Sequence, residues 1–468
     1  MRKGELLLAL VCLVGLGCTA EPPSLRPCVL VVLADDVGYG DPGFRGSGIH
    51  TPAIDRLARE GVVIERFYAF PECSPSRIAL FTARNPLRRG LAYSVIRPWS
   101  KEGIRAEEAL LPRAFQEAGY RTALVGKWHA GHGDPSMLPA ACGFDHFYGH
   151  LNGRIDSFTH HLTHGEDEVD LGLDWQRNGE PVIEEGYASF LLADEAIRLL
   201  DAATDEKPLF LVLSFNAAHP PLQAPQELLD RYAAVENPVR RAYAAMLDGL
   251  DRALGRVLDA LDDKGRTAET LVFFLGDNGA STDHGGANGP LRGGKATTFE
   301  GGIRVPAIVR WPARLAPGSS GQVLSVLDVA PTLLAAVGID PGTRNLDGQS
   351  YWRALLAGEI RPHQGLVVAT QHRWMRQEAL LDPRGKLVRE TNVVDGTRRQ
   401  ALFDPMADPG ETRDLSSERP DLVKELEERL DADLSLHPED YVRPTWEAPA
   451  GWKPPGDWAR ATAIPGGR

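Results

Sequence analysis

Cysteine is scarce in this chain, with five residues among 468. No two of them have the CxxC spacing of cysteine zinc sites, so that class of metal site is excluded. Two of the five lie in an N-terminal export segment, which leaves Cys28, Cys73 and Cys142. Three is an odd number for an oxidising compartment, so at least one thiol is left over for another purpose. A bridge between Cys28 and Cys142 is an open alternative.

Long apolar runs are missing except near the N-terminus. Two basic residues precede the apolar residues 6–17, which are too few to span a bilayer, and small residues follow at 18–20. This pattern predicts an export signal over residues 1–20. Cleavage after Ala20 is one interpretation, and lipidation of Cys18, which would tether the chain to a membrane, is the other. With no predicted transmembrane span, we expect an exported protein, periplasmic or extracellular.

An excess of positive charge is also absent. The chain has 51 Lys and Arg against 64 Asp and Glu, a net charge of −13. This balance argues against nucleic acid and against an anionic membrane surface as partners. Hydrophobic residues make up 43% and charged residues 25%, an ordinary globular composition that excludes disorder and coiled coil. The length predicts one large domain and a smaller one.

Four apolar runs each lead directly into polar or charged residues. Continuous Val, Leu and Phe runs of this length are typical of parallel strands buried on both faces. Amphipathic helical patterns lie between them, which predicts an α/β fold with a large, mostly parallel sheet flanked by helices. Ligands bind at the carboxyl ends of such strands, so the polar residues there define a candidate site. The runs are 28–33, 120–125, 209–215 and 271–275, and they lead into Asp35-Asp36, Lys127 to His129, His219 and Asp277-Asn278.

The pattern changes after about Gly358. Shorter apolar segments at 366–369, 378–381, 387–388 and 400–403 are separated by turn residues, as in an antiparallel sheet, and a helix follows from about 421 to 434. We therefore predict a catalytic domain over 21–358. Residues 359–468 are predicted to form a C-terminal subdomain with a four-stranded antiparallel sheet, a helix and an irregular tail.

The polar residues after two of the strands are all oxygen ligands: Asp35, Asp36, Asp277 and Asn278. Hard oxygen donors without Cys or His favour Ca²⁺ or Mg²⁺ over zinc or copper. Carboxylates placed close together would repel one another unless a cation neutralised them. The competing interpretation is that these residues cap helices. It would explain Asp35 and Asp36 but not Asp277 and Asn278 as well.

Cys73 precedes a predicted helix, with Pro75 in its first turn and Arg77 on the same face four residues on. A helix N-terminus beside an arginine favours an anion. The residues alone leave two interpretations open. Cys73 is either a thiolate nucleophile with a lowered pKa or a buried, inert cysteine.

Residues 73–77, Cys-Ser-Pro-Ser-Arg, resemble the C-x-P-S-R signature of type I sulfatases, a branch of the alkaline-phosphatase superfamily. Further motifs similar to those of the family occur in its order, and Gln223 most resembles the arylsulfatase B-like branch. The resemblance implies the superfamily's fold: a large α/β domain followed by a small domain of four antiparallel strands and a helix. The motifs span 35–41, 119–129, 219–225, 276–279, 291–295, 300–306 and 327–334.

The resemblance also implies a chemistry. Cys73 would be oxidised by a maturation enzyme to Cα-formylglycine, whose hydrate attacks sulfur, and it would complete the shell of one Ca²⁺, in preference to Mg²⁺. The substrate would be a sulfated saccharide or an aryl sulfate, and residues 149–160 resemble a substrate-side loop. The implied metal ligands are Asp35, Asp36, Cys73, Asp277 and Asn278. The implied catalytic residues are Cys73, Arg77 to stabilise the attacking oxygen, Lys127 and Lys295 to hold sulfate, His129 to bond the hydrate and His219 to protonate the leaving group.

Two other functions compete with a sulfatase. A phosphonate or phosphate monoesterase of the same superfamily would act on an ester of related charge and tetrahedral geometry. If Cys73 stayed unmodified, the chain would be a non-catalytic protein that binds sulfated glycans.

Overall fold

The computed structural model describes residues 26–165, 167–342, 345–438 and 446–460. The predicted export signal and Cys18 lie outside the described residues. The strands are β1 Cys28–Ala34, β2 Val62–Tyr68, β3 Arg121–Lys127, β4 His146–His150, β5 His161–His164, β6 Val169–Leu173, β7 Gln176–Arg177, β8 Glu180–Pro181, β9 Leu209–Ser214, β10 Thr270–Gly276, β11 Arg304–Val305, β12 Ala307–Arg310, β13 Gly318–Ser325, β14 Leu366–His372, β15 Met375–Asp382, β16 Gly385–Asn392 and β17 Arg398–Phe403. The helices are α1 Pro52–Glu60, α2 Cys73–Thr82, α3 Leu110–Glu117, α4 Ala188–Asp201, α5 Gln226–Arg231, α6 Pro238–Asp263, α7 Glu300–Ile303, α8 Val326–Ala336, α9 Trp352–Ala357 and α10 Pro420–Leu434.

The large sheet has eleven strands, and the four predicted strands lie in its centre. Its order is β11-β2-β12-β10-β1-β9-β3-β4-β7-β8, with β13 beside β2. The five strands from β10 to β4 are all parallel, whereas β12 and β7 join them antiparallel. The prediction of a large, mostly parallel sheet is confirmed.

Helices cover both faces of this sheet, which is why its central strands are apolar throughout. All seven residues of β1 are buried. Val29, Val31 and Leu33 point to the core that contains α2, α3 and α8. The alternate residues Leu30 and Val32 point to the core that contains α1, α4 and α6. A strand with two buried faces must be apolar at every position, so its polar residues appear only where it ends.

The smaller sheet confirms the predicted C-terminal architecture. Its order is β14-β15-β16-β17, antiparallel throughout. Helix α10 buries Leu426 and Leu430 against a core that includes Leu380, Leu387 and Leu402. The division into 21–358 and 359–468 stays a prediction.

The final described segment, 446–460, lies against the hairpin of β5 and β6. The indole Nε1 of Trp458 donates to the Leu171 carbonyl at 3.0 Å, and Trp452 packs edge-on to Trp99. Among the described ranges, no helix combines the length and apolar composition that crossing a bilayer needs. Cys28, Cys73 and Cys142 are all free and buried, so the alternative of a Cys28–Cys142 bridge is excluded.

Candidate active site

Strand register brings the acidic residues together. Ala34 of β1 lies opposite Gly276 of the parallel strand β10. Asp35 and Asp277 therefore leave the sheet side by side, and a ligand atom from each lies within 4.8 Å of the other and of Cys73 Sγ. Asp35, Asp36 and His219 form a second group within the same distance. The predicted convergence at the carboxyl edge of the sheet is what the structure shows.

The acidic cluster is short of hydrogen bonds. Both Oδ1 of Asp35 and Oδ1 of Asn278 are buried without a partner among the described residues. Burial, followed by the charge of Asp277, raises the pKa of Asp35 to about 7. Asn278 donates from Nδ2 to Asp36 at 2.7 Å, which aligns the two side chains. Buried oxygen acceptors without donors, next to carboxylates that repel each other, fit a hard cation such as Ca²⁺.

Arg77 has a partner for each end of its guanidinium. Its Nε and Nη2 donate to Asp277 Oδ2 at 3.1 and 2.8 Å, and its Nη1 donates to the Lys127 carbonyl at 2.8 Å and to Ser214 Oγ at 2.7 Å. The side chain is fully buried. These bonds fix the guanidinium one turn along α2 from Cys73, so Arg77 faces the same space as the sulfur.

Two lysines pair with the acids. Lys127 ends β3 and forms an ion pair with Asp35, and Lys295 Nζ lies 2.7 Å from Asp36 Oδ1. Gly126 lets Lys127 reach this position. The φ of Gly126 is +114°, and a Cβ there would lie 1.8 Å from the Ser214 carbonyl of the neighbouring strand. Only glycine allows that approach.

Cys73 is the first residue of α2 and is buried. Burial raises the pKa of its thiol above the usual value, an effect larger than the opposing charges of Lys127 and Lys295. Of the two interpretations left by the residues alone, the thiolate with a lowered pKa is therefore the one that this environment disfavours. Sγ lies 3.2 Å from Nδ1 of His129.

Both predicted histidines lie at this edge and are held neutral. Burial and then nearby lysine charge lower the pKa of His129 and of His219 well below the usual value. His129 Nε2 donates to the Ile96 carbonyl at 2.9 Å, which leaves Nδ1 as the acceptor towards Cys73. His219 Nε2 lies 4.0 Å from Asp36 Oδ2. Asp36 and His129 adopt left-handed φ values of 56° and 50°, a strained conformation that is common at functional sites.

Several residues at this edge were not predicted. The hydroxyl of Ser214 accepts a hydrogen bond from Arg77 and donates one to the Lys127 carbonyl. In the sequence, the one indication of this role is a polar residue inside an apolar run. Gln223 holds the 149–160 loop with both polar atoms of its amide, whereas its sequence context indicated only a branch of the family. Its Nε2 donates to Asp156 at 2.6 Å, and its Oε1 accepts from Ser157 N at 2.7 Å. No local pattern signals that contact, because the partners lie 67 and 66 residues apart.

Comparisons with known proteins identify the family. A family model described as Sulfatase matches residues 27–339. The chain is 32% identical to arylsulfatase J of Mus musculus, covering 86% of this chain and 75% of the relative, and 33% identical to N-acetylgalactosamine-6-sulfatase of Homo sapiens, covering 94% and 92%. The crystal structure of Ps i-CgsB in complex with k-i-k-neocarrahexaose aligns with a TM-score of 0.81 at 28% identity, covering 94% of this chain and 98% of that one.

A more distant structure shares the fold. The phosphonate monoester hydrolase of Agrobacterium radiobacter aligns with a TM-score of 0.63 at 20% identity, covering 88% of this chain and 96% of that one. That likeness concerns the fold alone. None of these comparisons singles out a branch, so the arylsulfatase B-like assignment stays a prediction.

Proposed function

The chain belongs to the type I sulfatase family and is a sulfatase, and from that premise we propose that it removes sulfate from a sulfated carbohydrate using a formylglycine made from Cys73 and a bound Ca²⁺. The observation that carries the proposal is the meeting of Cys73, Arg77 and the acidic cluster at one buried sheet edge. The name N-acetylgalactosamine-6-sulfatase and the neocarrahexaose complex support a sugar substrate.

The residues that would hold Ca²⁺ are Asp35, Asp36, Asp277 and Asn278, with the modified side chain of residue 73. The unpartnered oxygens of Asp35 and Asn278 support this set. When bound, Ca²⁺ supplies positive charge that stabilises negative charge on the attacking oxygen. The pairs Lys127–Asp35 and Lys295–Asp36 keep the acids neutralised until then.

Oxidation of Cys73 by a maturation enzyme would replace a thiol that is a poor nucleophile here, because burial keeps it protonated. The hydrated aldehyde would supply two hydroxyls, one to bond to sulfur as the alkoxide departs and one whose loss of a proton would expel sulfate and restore the aldehyde. His129 Nδ1, 3.2 Å from Sγ, is placed to accept a hydrogen bond or a proton from a hydroxyl at that position. Arg77 is fixed on the same side by Asp277 and Ser214 and would stabilise the charge on that oxygen.

Lys127 and Lys295 would hold the sulfate oxygens, and His219 would protonate the leaving alkoxide. The charges of both lysines help to lower the pKa of His219. An anion bound between the lysines offsets their charge, so substrate binding itself raises that pKa towards the value that a proton donor needs. Proton donation by His219 is thereby coupled to occupation of the site.

The modification is tested by mass spectrometry of the tryptic peptide 67–77. Coexpression with a formylglycine-generating enzyme should lower its mass by roughly 18 Da, as the thiol becomes an aldehyde. An unmodified thiol under these conditions would contradict the catalytic proposal and favour a sulfated-glycan-binding protein.

Turnover is tested with nitrophenyl sulfate and nitrophenyl phosphate in parallel. The sulfate should be hydrolysed faster, and a faster phosphate reaction would favour the monoesterase alternative. Cys73→Ala should abolish turnover with the far-ultraviolet circular dichroism unchanged. Cys142→Ala is the matched control: Cys142 is also a free, buried thiol, and its loss should leave turnover intact.

The proposal places this reaction outside the cytoplasm, after export through the signal at residues 1–20, with the mature chain either free or tethered at Cys18. Cell fractionation of the full chain and of a Cys18→Ala variant separates the two: a tethered chain moves from the membrane to the soluble fraction in the variant, and a cleaved chain is soluble in both.

A further inference from the structure

Two chain segments outside the implied catalytic and metal-binding residues touch the ring of His129, and one of them belongs to the 149–160 loop. The Ile96 carbonyl accepts the Nε2–H of this ring at 2.9 Å. On another side lies Gly153, where a Cβ would come within 2.5 Å of the ring's Cε1. The residues that follow these contacts are Arg97 and Arg154. Both arginines therefore leave the backbone next to the residue that contacts Cys73.

Both guanidinium groups lack the pairing that Arg77 has. Nε of Arg97 and Nε of Arg154 are buried without a hydrogen-bond partner among the described residues. Nη1 of Arg154 lies 3.4 Å from the Gly165 carbonyl and Nη2 lies 3.8 Å from Glu168, which are long contacts. The charge of buried Glu72 acts on Arg97, but within the described ranges no carboxylate forms an ion pair with it at 4.0 Å or less. Burial lowers the pKa of both groups, which means that their charge is poorly solvated.

The two arginines share a neighbouring histidine. Burial and then the charges of Arg97 and Arg154 lower the pKa of His164, so both guanidinium groups lie near that imidazole. The charge of the buried Glu72, which directly precedes Cys73, acts on Arg97, and the charge of Arg154 acts on His219. One arginine is therefore close to the attacking residue and the other is close to the proposed proton donor.

An aromatic face completes the arrangement. The Arg97 guanidinium lies over the Trp446 ring, 4.1 Å from its centroid, and Trp446 is partly exposed. A guanidinium stacked on an aromatic ring keeps its in-plane N–H groups free to donate. Poorly solvated arginines with free donors recognise carboxylate and sulfate groups well, because charge-assisted hydrogen bonds replace the missing water.

We propose that Arg97 and Arg154 form a second anion-binding position beside the reacting sulfate ester. The inference rests on the proposed function and deepens it: the substrate carries another anionic group, a carboxylate or a second sulfate, next to the sulfate that is removed. These residues are specificity determinants and take no part in bond breaking. A singly charged aryl sulfate would fill only the catalytic position.

The test uses inhibition of nitrophenyl sulfate turnover by four disaccharides of uronate and N-acetylgalactosamine. They carry one or two sulfates, each as the free uronate and as its methyl ester. If the second anion is a carboxylate, esterification should raise the inhibition constant Ki about tenfold, the effect of losing one charge-assisted hydrogen bond. If it is a sulfate, the second sulfate should lower Ki by a similar factor.

Arg97→Gln and Arg154→Gln should each remove most of that difference, whereas Arg97→Lys and Arg154→Lys should retain part of it. Arg353→Gln, an exposed arginine on α9, is the matched control and should keep the full difference. Equal Ki values for all four disaccharides in the wild type would overturn the proposal, as would a difference that survives in both glutamine variants.

Failure of the proposed function gives a different result. In that case the wild type releases no nitrophenol, although mass spectrometry shows the modified residue. The second anion position can then be tested without turnover. Calorimetry gives the dissociation constants of the same four disaccharides on the same chain, and these are compared between free uronate and methyl ester and between one and two sulfates.

Discussion

A buried lysine joins the small sheet to the loop that carries Lys295. Lys386, on β16 and without solvent exposure, lies 3.1 Å from Glu300 Oε1 and 2.9 Å from Glu411 Oε1. Glu411 also accepts the backbone N–H of Glu300 at 2.7 Å. Lys295 lies five residues before Glu300, so these contacts support its position from the side of the small sheet.

Lys386→Met keeps the length of the side chain and removes its charge, which leaves two buried carboxylates side by side. Removing one partner of a buried ion pair lowers the free energy of unfolding by about 3–5 kcal/mol, and we expect a loss in that range. Burial already raises the pKa of Glu411, and the charge of Lys386 is the main opposing effect. Without it the pKa rises further above the unfolded value, so the stability lost by the variant should grow as pH rises from 5 to 8.

Urea unfolding followed by tryptophan fluorescence measures this loss. Lys424→Met, at an exposed position on α10, is the control and should change the unfolding free energy by less than about 0.5 kcal/mol. We also expect kcat/KM for nitrophenyl sulfate to fall in Lys386→Met, because Lys295 loses its support. A loss of stability below about 1 kcal/mol, or one independent of pH, would refute the assigned role of this ion pair.

Three further outcomes follow from the site and its surroundings. Gln223→Ala should raise KM more than it lowers kcat, because the loop held at Asp156 and Ser157 loosens; an unchanged KM would count against that role. Burial lowers the pKa of His132 to about 4, so below pH 6.5 the unfolded chain binds a proton that the fold excludes, and this histidine alone should lower stability by about 3 kcal/mol between pH 6.5 and 4. In His132→Gln the slope of the unfolding free energy against pH should be smaller, by the amount that corresponds to about one proton fewer taken up on unfolding. Adding Ca²⁺ to chelator-treated protein should raise the melting temperature, and Asp277→Asn should reduce that increase; equal increases would contradict the proposed ligand set.

The central sheet could be predicted because its pattern is local. A parallel strand buried on both faces occurs in the sequence as one continuous apolar run, as in residues 28–33. The first polar residue after the run marks the carboxyl end of the strand. The carboxyl ends of four parallel strands meet at one edge of the sheet. The sequence could therefore predict that Asp35, Lys127, His219 and Asp277 lie near one another. The structure has them at that edge. Their roles, and the identity of the metal, stay predictions.

Other features could not be predicted, because they depend on contacts between distant residues. Strands β7, β8 and β11 are two residues long and have no period to detect. The state of Cys28 and Cys142 depended on where their elements lie in space. Arg97 gave no sequence signal and Arg154 only its place in the 149–160 loop, since an isolated arginine is usually solvated and only the fold places the preceding residues, Ile96 and Gly153, against His129.

The net charge of −13 hides a balanced site. Asp35, Asp36 and Asp277 face Arg77, Lys127 and Lys295, three acids against three bases, so their formal charges sum to zero. A divalent cation would take the acids, and the lysines released from those pairs would be free to hold sulfate. The cation would bind the acids that otherwise pair with the lysines, and the sulfate would bind the lysines that otherwise pair with the acids. By thermodynamic reciprocity, the cation and the sulfate ester should each tighten the binding of the other. An acidic protein could therefore bind an anionic substrate at this edge, because occupation of the acids by a cation would free the positive charge of the lysines there.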